Sequence, residues 1–117
     1  MFLSAAASFV DVSFVPTESA AARAALEWAH VGPGDMVYEL GCGDGRVAAE
    51  ALALGASVVC VERDPELAAV AATRLLLATG SRPERAQVIT TDLFEVDLSQ
   101  ATAACVQHSG RHGSATG

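Results

Sequence analysis

The stretch Met36-Val37-Tyr38-Glu39-Leu40-Gly41-Cys42-Gly43-Asp44-Gly45-Arg46 decides the fold. Its first five residues read as a strand, and their near-continuous apolar character suits a parallel strand covered on both faces. Glycines at 41, 43 and 45 then predict a turn. A helical pattern runs from about Arg46, with Val47, Ala51 and Leu54 on one face and Gly55 as its stop. Strand, glycine turn and helix together form a backbone-lined site for a nucleotide-like ligand, because small residues let a ligand approach the main chain. The spacing is G-x-G-x-G, not the dinucleotide pattern G-x-G-x-x-G. One acid, Glu39, stands two residues before the first glycine, and a second, Glu62, ends the next apolar run.

Working outward toward the C-terminus, Ser57 to Val61 is rich in β-branched residues and reads as the second strand. Asp64 is placed to cap the next helix, with Pro65 at its first position, where a missing N–H is harmless. Leu67, Val70, Ala71, Leu75 and Ala78 are expected to form its buried stripe, and Gly80 to end it. Ser81 to Glu84 reads as loop and Gln87 to Thr90 as the third strand. Asp92 closes that strand, Leu93 to Ser99 can hold a short helical turn, and Thr102 to Val106 is a weak fourth strand. Gln107 to Gly117 has no large apolar residue and reads as a disordered tail.

Toward the N-terminus, residues 1–13 read as a flexible arm. Phe14-Val15-Pro16-Thr17 leads into a helix, with Thr17 as N-cap and Glu18 in the first turn. Ala21, Ala25 and Trp28 recur at helical spacing, and Gly32-Pro33-Gly34 stops the helix. Alternating strands and helices imply right-handed crossovers and a mostly parallel sheet. The expected organisation is therefore an α/β, Rossmann-like partial domain over residues 14–106, with about three to four strands and flanking helices.

Composition narrows the function. The chain has 117 residues, half of them apolar, enough for one domain with one core. Net charge is −7, with seven arginines and no lysine. A basic footprint for nucleic acid is absent, and an acidic surface suits a cationic partner such as a lysine-bearing protein. Cys42, Cys60 and Cys105 show no C-x-x-C spacing. Their odd number argues against a disulfide framework and fits a reducing, cytoplasmic compartment. No metal site is read from the histidines and cysteines. The first positive charge is Arg23, so no signal peptide is expected, and no run reaches the ~20 apolar residues of a membrane span.

Glu39-Leu40-Gly41-Cys42-Gly43-Asp44-Gly45-Arg46, with Cys60-Val61-Glu62-Arg63-Asp64-Pro65 after it, resembles the cofactor half of a class I S-adenosylmethionine-dependent methyltransferase. With Phe14-Val15-Pro16-Thr17 upstream, and Asp92-Leu93-Phe94 and Asp97 to Thr102 downstream, it is most similar to the small protein-lysine N-methyltransferases of prokaryotes and mitochondria. The resemblance covers roughly Asp11 to Thr102. It implies methyl transfer to a protein lysine, with S-adenosylmethionine as cofactor. Gly41, Cys42, Gly43 and Gly45 would pass close to its amino acid end and sulfonium. Glu39 would meet the amino group, often through water, and Asp44 would either face the same end or cap the following helix. Glu62 would accept from both ribose hydroxyls, about 20 residues past the turn because one helix and one strand must intervene. Asp92 would meet the adenine amino group, with Leu93 donating from its backbone. Thr17 would lie near the methyl end, and Arg63 beside Glu62, where it reads more readily as a surface charge than as a ligand. In-line displacement on an activated cofactor needs mainly proximity and orientation, and no residue is named as catalytic base.

The resemblance also implies a strong fourth strand and more beyond it, whereas here Val106 is followed by Gln107-His108-Ser109-Gly110. The chain is accordingly read as the N-terminal half of such an enzyme, C-terminally truncated. The first strand is then expected nearly at the sheet edge, with marginal stability or self-association as the result. Two other readings stand beside it: a cofactor-binding fragment without catalysis, and an NAD-binding Rossmann module. The G-x-G-x-G spacing and Glu39 speak against the second of these.

Overall fold

The computed structural model describes the backbone of residues 2–5, 8–16 and 18–108, and the side chains of residues 16 and 18–106. The order of elements is β1 (Phe2–Ala5), β2 (Ser8–Pro16), α1 (Ser19–Trp28), β3 (Met36–Leu40), α2 (Arg46–Ala53), β4 (Ser57–Val61), α3 (Pro65–Thr79), β5 (Ala86–Ile89) and β6 (Ala103–His108). One six-stranded sheet has the order β1-β2-β6-β3-β4-β5. All neighbours pair in parallel except β1 and β2, which are antiparallel. The register brings Phe14, Val106, Leu40, Val61 and Ile89 to one level across five strands. The C-terminal ends of these strands therefore meet at one edge, which is where open parallel sheets bind ligands.

Two apolar layers cover the sheet. On one face Val37, Val58, Cys60 and Cys105 pack against Ala22 and Leu26 of α1, Val47, Ala48, Ala51 and Leu52 of α2, and Ala71 and Leu75 of α3. On the other face Tyr38, Leu40, Val59, Val61 and Ala104 are covered by Leu98, with Leu93, Val96 and Ala101 packed around it. The central strands are buried on both faces, as their continuous apolar runs predict.

Several sequence-based expectations are corrected. Residues 2–5 and 8–16 form strands rather than a flexible arm. Phe9, Val10, Val12, Phe14 and Val15 are strand-favouring residues; Phe9 and Val10 pair antiparallel with β1, and Val12, Phe14 and Val15 find a parallel partner in β6 that no local pattern reveals. The weak fourth strand is longer than expected, because β6 continues through Gln107 and His108, and it pairs on both sides, with β3 and with β2. β3 is consequently an interior strand, and the self-association expected from its exposure loses that ground. Residues 109–117, the rest of the expected tail, lie outside the described residues.

In α1 the helix begins at Ser19, with Glu18 at the N-cap position making no side-chain cap. Trp28 is 86% exposed, and the buried positions are Ala22 and Leu26. α1 stops before Gly32, at a left-handed His30, where Val31 N–H donates to Leu26 O at 3.0 Å.

Helix α3 begins and ends where expected. The Asp64 carboxylate accepts from Glu66 N–H at 2.9 Å, Pro65 leads, and Gly80 terminates. Its buried face is the expected one only in part: Ala71 and Leu75 point inward as expected, joined by Ala68, while Leu67, Val70 and Ala78 are exposed. The chain entering α2 comes closest to α3 at Gly45. A Cβ on Gly45, at the start of α2, would stand 3.0 Å from Ala71 Cα.

Cys42 and Cys60 form a disulfide, with their Cα atoms 5.5 Å apart, while Cys105 is a buried free thiol. This corrects the expectation of a chain without disulfides. An odd count is blind to tertiary neighbours, and here Cys42, the second residue past β3, meets Cys60 of the adjacent strand β4.

Candidate cofactor site

The glycine turn is built onto the end of β4. Gly41 N–H and Cys42 N–H both donate to Val61 O, at 2.8 and 2.9 Å, and Gly45 N–H donates back to Cys42 O at 3.1 Å. Gly41, Gly43 and Gly45 have φ values of 71°, 62° and 86°, a region that L side chains rarely adopt. At Gly41 a Cβ would meet nothing within 4 Å, so the chain there borders open space.

That space is a cavity of about 230 Å³ at the C-terminal ends of β3, β4 and β5. Gly41, Glu62, Arg63, Asp92 and Leu93, five of the candidate cofactor residues that the resemblance implies, line it. Val61, Thr91 and Phe94 line it too and were missed. Each adjoins a predicted residue, and the exposed Phe94 was the available signal, because a large apolar side chain beside a strand-end acid has no core to join.

Glu62 is fixed at both oxygens. Oε1 accepts from Gly43 N–H at 2.8 Å and Oε2 from Asp64 N–H at 2.9 Å. The acid thereby closes the glycine turn against the start of α3 and still lines the cavity. Asp92 accepts from Phe94 N–H at 2.9 Å, which turns the chain out of β5 and brings Leu93 to the cavity.

Glu39 is fully buried beneath the turn, in register with Cys60 on one side and Cys105 on the other. No hydrogen bond of normal geometry satisfies either of its carboxylate oxygens. Burial first, and the Asp44 charge second, push its pKa up to about 8, against a smaller opposing pull from the Ala48 amide. It is held as a neutral acid at pH 7. The same burial, with Glu39 as second cause, pushes the Cys105 thiol well above its ordinary range.

Glu39, Cys42, Gly43, Asp44 and Gly45 do not line the cavity. Asp44 instead binds Arg46, at 2.7 Å to Oδ2, and Arg46 is the first cause that holds its pKa below the ordinary carboxylate range. The helix-capping alternative for Asp44 has support, since Oδ1 accepts from Arg46 N–H at 3.2 Å. Arg74 of α3 clasps the turn from outside, its Nε donating to Asp44 O at 3.0 Å. Thr17 lies outside the described residues.

The donor set fits a nucleoside-like cofactor with a cationic amino group. An unpaired buried acid lies under the turn, a Cβ-free wall stands at Gly41, and two strand-end acids face the same cavity. Fold and site together define a class, for the chain has the Rossmann-like fold of class I S-adenosylmethionine-dependent methyltransferases.

In sequence it is similar to a protein-lysine N-methyltransferase of Saccharolobus islandicus, 35% identical over 94 residues, covering 78% of this chain and 56% of the relative. Among solved structures it resembles an RNA methyltransferase from Salinibacter ruber in complex with S-adenosyl-L-homocysteine. The TM-score is 0.71 at 35% identity, over 79% of this chain and 60% of that one. It also resembles the glycopeptide N-methyltransferase MtfA complexed with sinefungin, with a TM-score of 0.64 at 25% identity over 82% of this chain and 38% of that one. The chain thus spans somewhat over half the length of the curated relative it matches. No family model matches it. Among the described residues, no helix is long and apolar enough to cross a membrane.

Proposed function

We propose that this chain carries the S-adenosylmethionine site of a methyltransferase whose acceptor is a protein lysine. The observation that supports it most is the cavity at the strand ends, where Gly41, Glu62 and Asp92 converge from three successive loops. When bound, the cofactor supplies a methyl group on a sulfonium, already activated for displacement.

In this reading the chain's own residues bind and orient. Glu62 accepts from the ribose hydroxyls while its carboxylate stays braced by Gly43 N–H and Asp64 N–H. Asp92 and the Leu93 backbone receive the adenine. Glu39, buried beneath the turn, would meet the cationic amino end, through water where the two do not touch.

The lysine acceptor is supported by the name of the 35%-identical relative and by the −7 net charge. An RNA acceptor is the reading that the Salinibacter neighbour favours, and the acidic surface speaks against it. A cytoplasmic site of action accompanies this reading. The second reading is a cofactor-binding module without catalysis, favoured by the chain's 56% coverage of its relative.

The test is calorimetric titration with S-adenosylhomocysteine, wild type beside Glu62→Ala. Binding that the substitution weakens tenfold or more, roughly 1.4 kcal/mol, is the expected outcome. A folded wild type that does not bind would refute the cofactor site. Methyl transfer from labelled cofactor to a lysine-rich protein, but not to RNA, would then separate the acceptor classes, and binding without transfer to either would leave the second reading standing.

A further inference from the structure

The cysteine pair has no part in the proposed methyl transfer, yet it lies at the joint of the site. Cys42 stands between Gly41 and Gly43 in the turn, and Cys60 lies on β4 two residues before Glu62. Their Cα separation of 5.5 Å is the usual one for a disulfide. The third cysteine has no such option with Cys60. Glu39 pairs with Cys60 on one side and Cys105 on the other, so two strand spacings, about 9.5 Å, separate those two. Bridging fails beyond roughly 7 Å, and the sheet therefore selects Cys42 as the partner of Cys60.

The bond also runs along an existing seam. Gly41 N–H and Cys42 N–H are held by Val61 O, and Gly43 N–H by Glu62. Every one of these contacts joins the glycine turn to the end of β4, and the disulfide joins the same two segments covalently.

We infer that Cys42 and Cys60 are a reversible thiol–disulfide site that clamps the glycine turn to β4 and thereby sets how freely the turn opens. The consequence for ligand binding rests on the reading of this turn as the cofactor cradle, but the clamp itself does not. With a small-molecule disulfide such as glutathione disulfide as oxidant, one cysteine thiolate attacks it and expels one glutathione. The other cysteine then attacks the mixed disulfide and expels the second. One S–S bond forms as one breaks, the two cysteines lose two electrons and two protons, and two glutathione thiols result. Both cysteines are buried, so exchange requires the turn to open first, and a ligand that holds the turn closed would slow it.

The experiment compares the full chain reduced with dithiothreitol and oxidised with glutathione disulfide. Alkylation under denaturing conditions, read by mass spectrometry, is expected to find three thiols in the first and Cys105 alone in the second. Hydrogen exchange of the segment 41–46 is expected to be at least tenfold slower in the oxidised form, and in Cys60→Ser to be indifferent to the oxidant. Three free thiols after oxidation, a bond involving Cys105, or equal exchange in the two redox forms of the wild type would overturn the inference. The wild-type comparison needs no substituted chain, so a poorly folded Cys60→Ser does not weaken it. S-adenosylhomocysteine titration of both forms runs alongside. Failure to bind in either form would refute the proposed function, while the thiol and exchange readouts would still decide the clamp.

Discussion

Raising the pH should destabilise this fold through Glu39, a single side chain. Its carboxyl is buried, unpaired and held to a pKa of about 8, against an ordinary 4.5. The folded state therefore keeps a proton that the unfolded chain releases. Stability is fully present below the unfolded value, falls as pH rises above about 4.5, and levels off only beyond about 8. Linkage converts each pH interval of one unit, with one proton of difference, into about 1.4 kcal/mol. Between pH 5 and 9 the loss attributable to Glu39 is about 4 kcal/mol, taking the two values above. That is a large part of the 5–15 kcal/mol of a typical domain.

Asp44 and Glu84, whose pKa values lie below their ordinary ones because of Arg46 and Arg82 respectively, act only at lower pH. The assay is urea denaturation at several pH values across that window, with the disulfide intact, for wild type and Glu39→Gln. The wild type should lose stability steadily and Glu39→Gln should stay nearly level. Parallel pH profiles for the two would refute the reasoning, since a neutral amide at that position cannot titrate.

Two further outcomes follow from packing. Gly45→Ala forces a side chain into a left-handed backbone, φ 86°, and against Ala71 Cα at 3.0 Å. Strain and overpacking together should cost about 2–4 kcal/mol, seen as a lowered Tm; an unchanged Tm would mean that α2 and α3 are free to separate. On α3, Leu75→Ala should cost about 2–5 kcal/mol, whereas Leu77→Ser, two residues on, should fall within about 0.5 kcal/mol, because Leu75 is 1% and Leu77 80% exposed. Denaturation midpoints of the two variants check this, and similar losses in both would place α3 in a different rotation.

The sequence by itself determined the local parts of this protein. An apolar run, three glycines and two strand-end acids specified β3, the turn, and Glu39 and Glu62. Asp64 and Pro65 specified where α3 begins. These features depend on near neighbours, through capping, backbone conformation and strand character, and such interactions are written in consecutive residues.

Long-range packing decided the rest. Which face of α3 is buried depended on how closely α2 approaches it: Ala71 meets Gly45 as part of the expected stripe, but Ala68 is buried where sequence periodicity pointed to Leu67 and Val70. Strand β6 is weak by itself, and it became an interior strand only because β2, some ninety residues earlier, pairs along its other side. The Cys42–Cys60 bond likewise required two segments to be adjacent in space. Glu39 was legible as a candidate residue beside the glycine turn, but its neutral state was not. That state comes from complete desolvation by a sheet and helices whose contributions are spread over the whole chain.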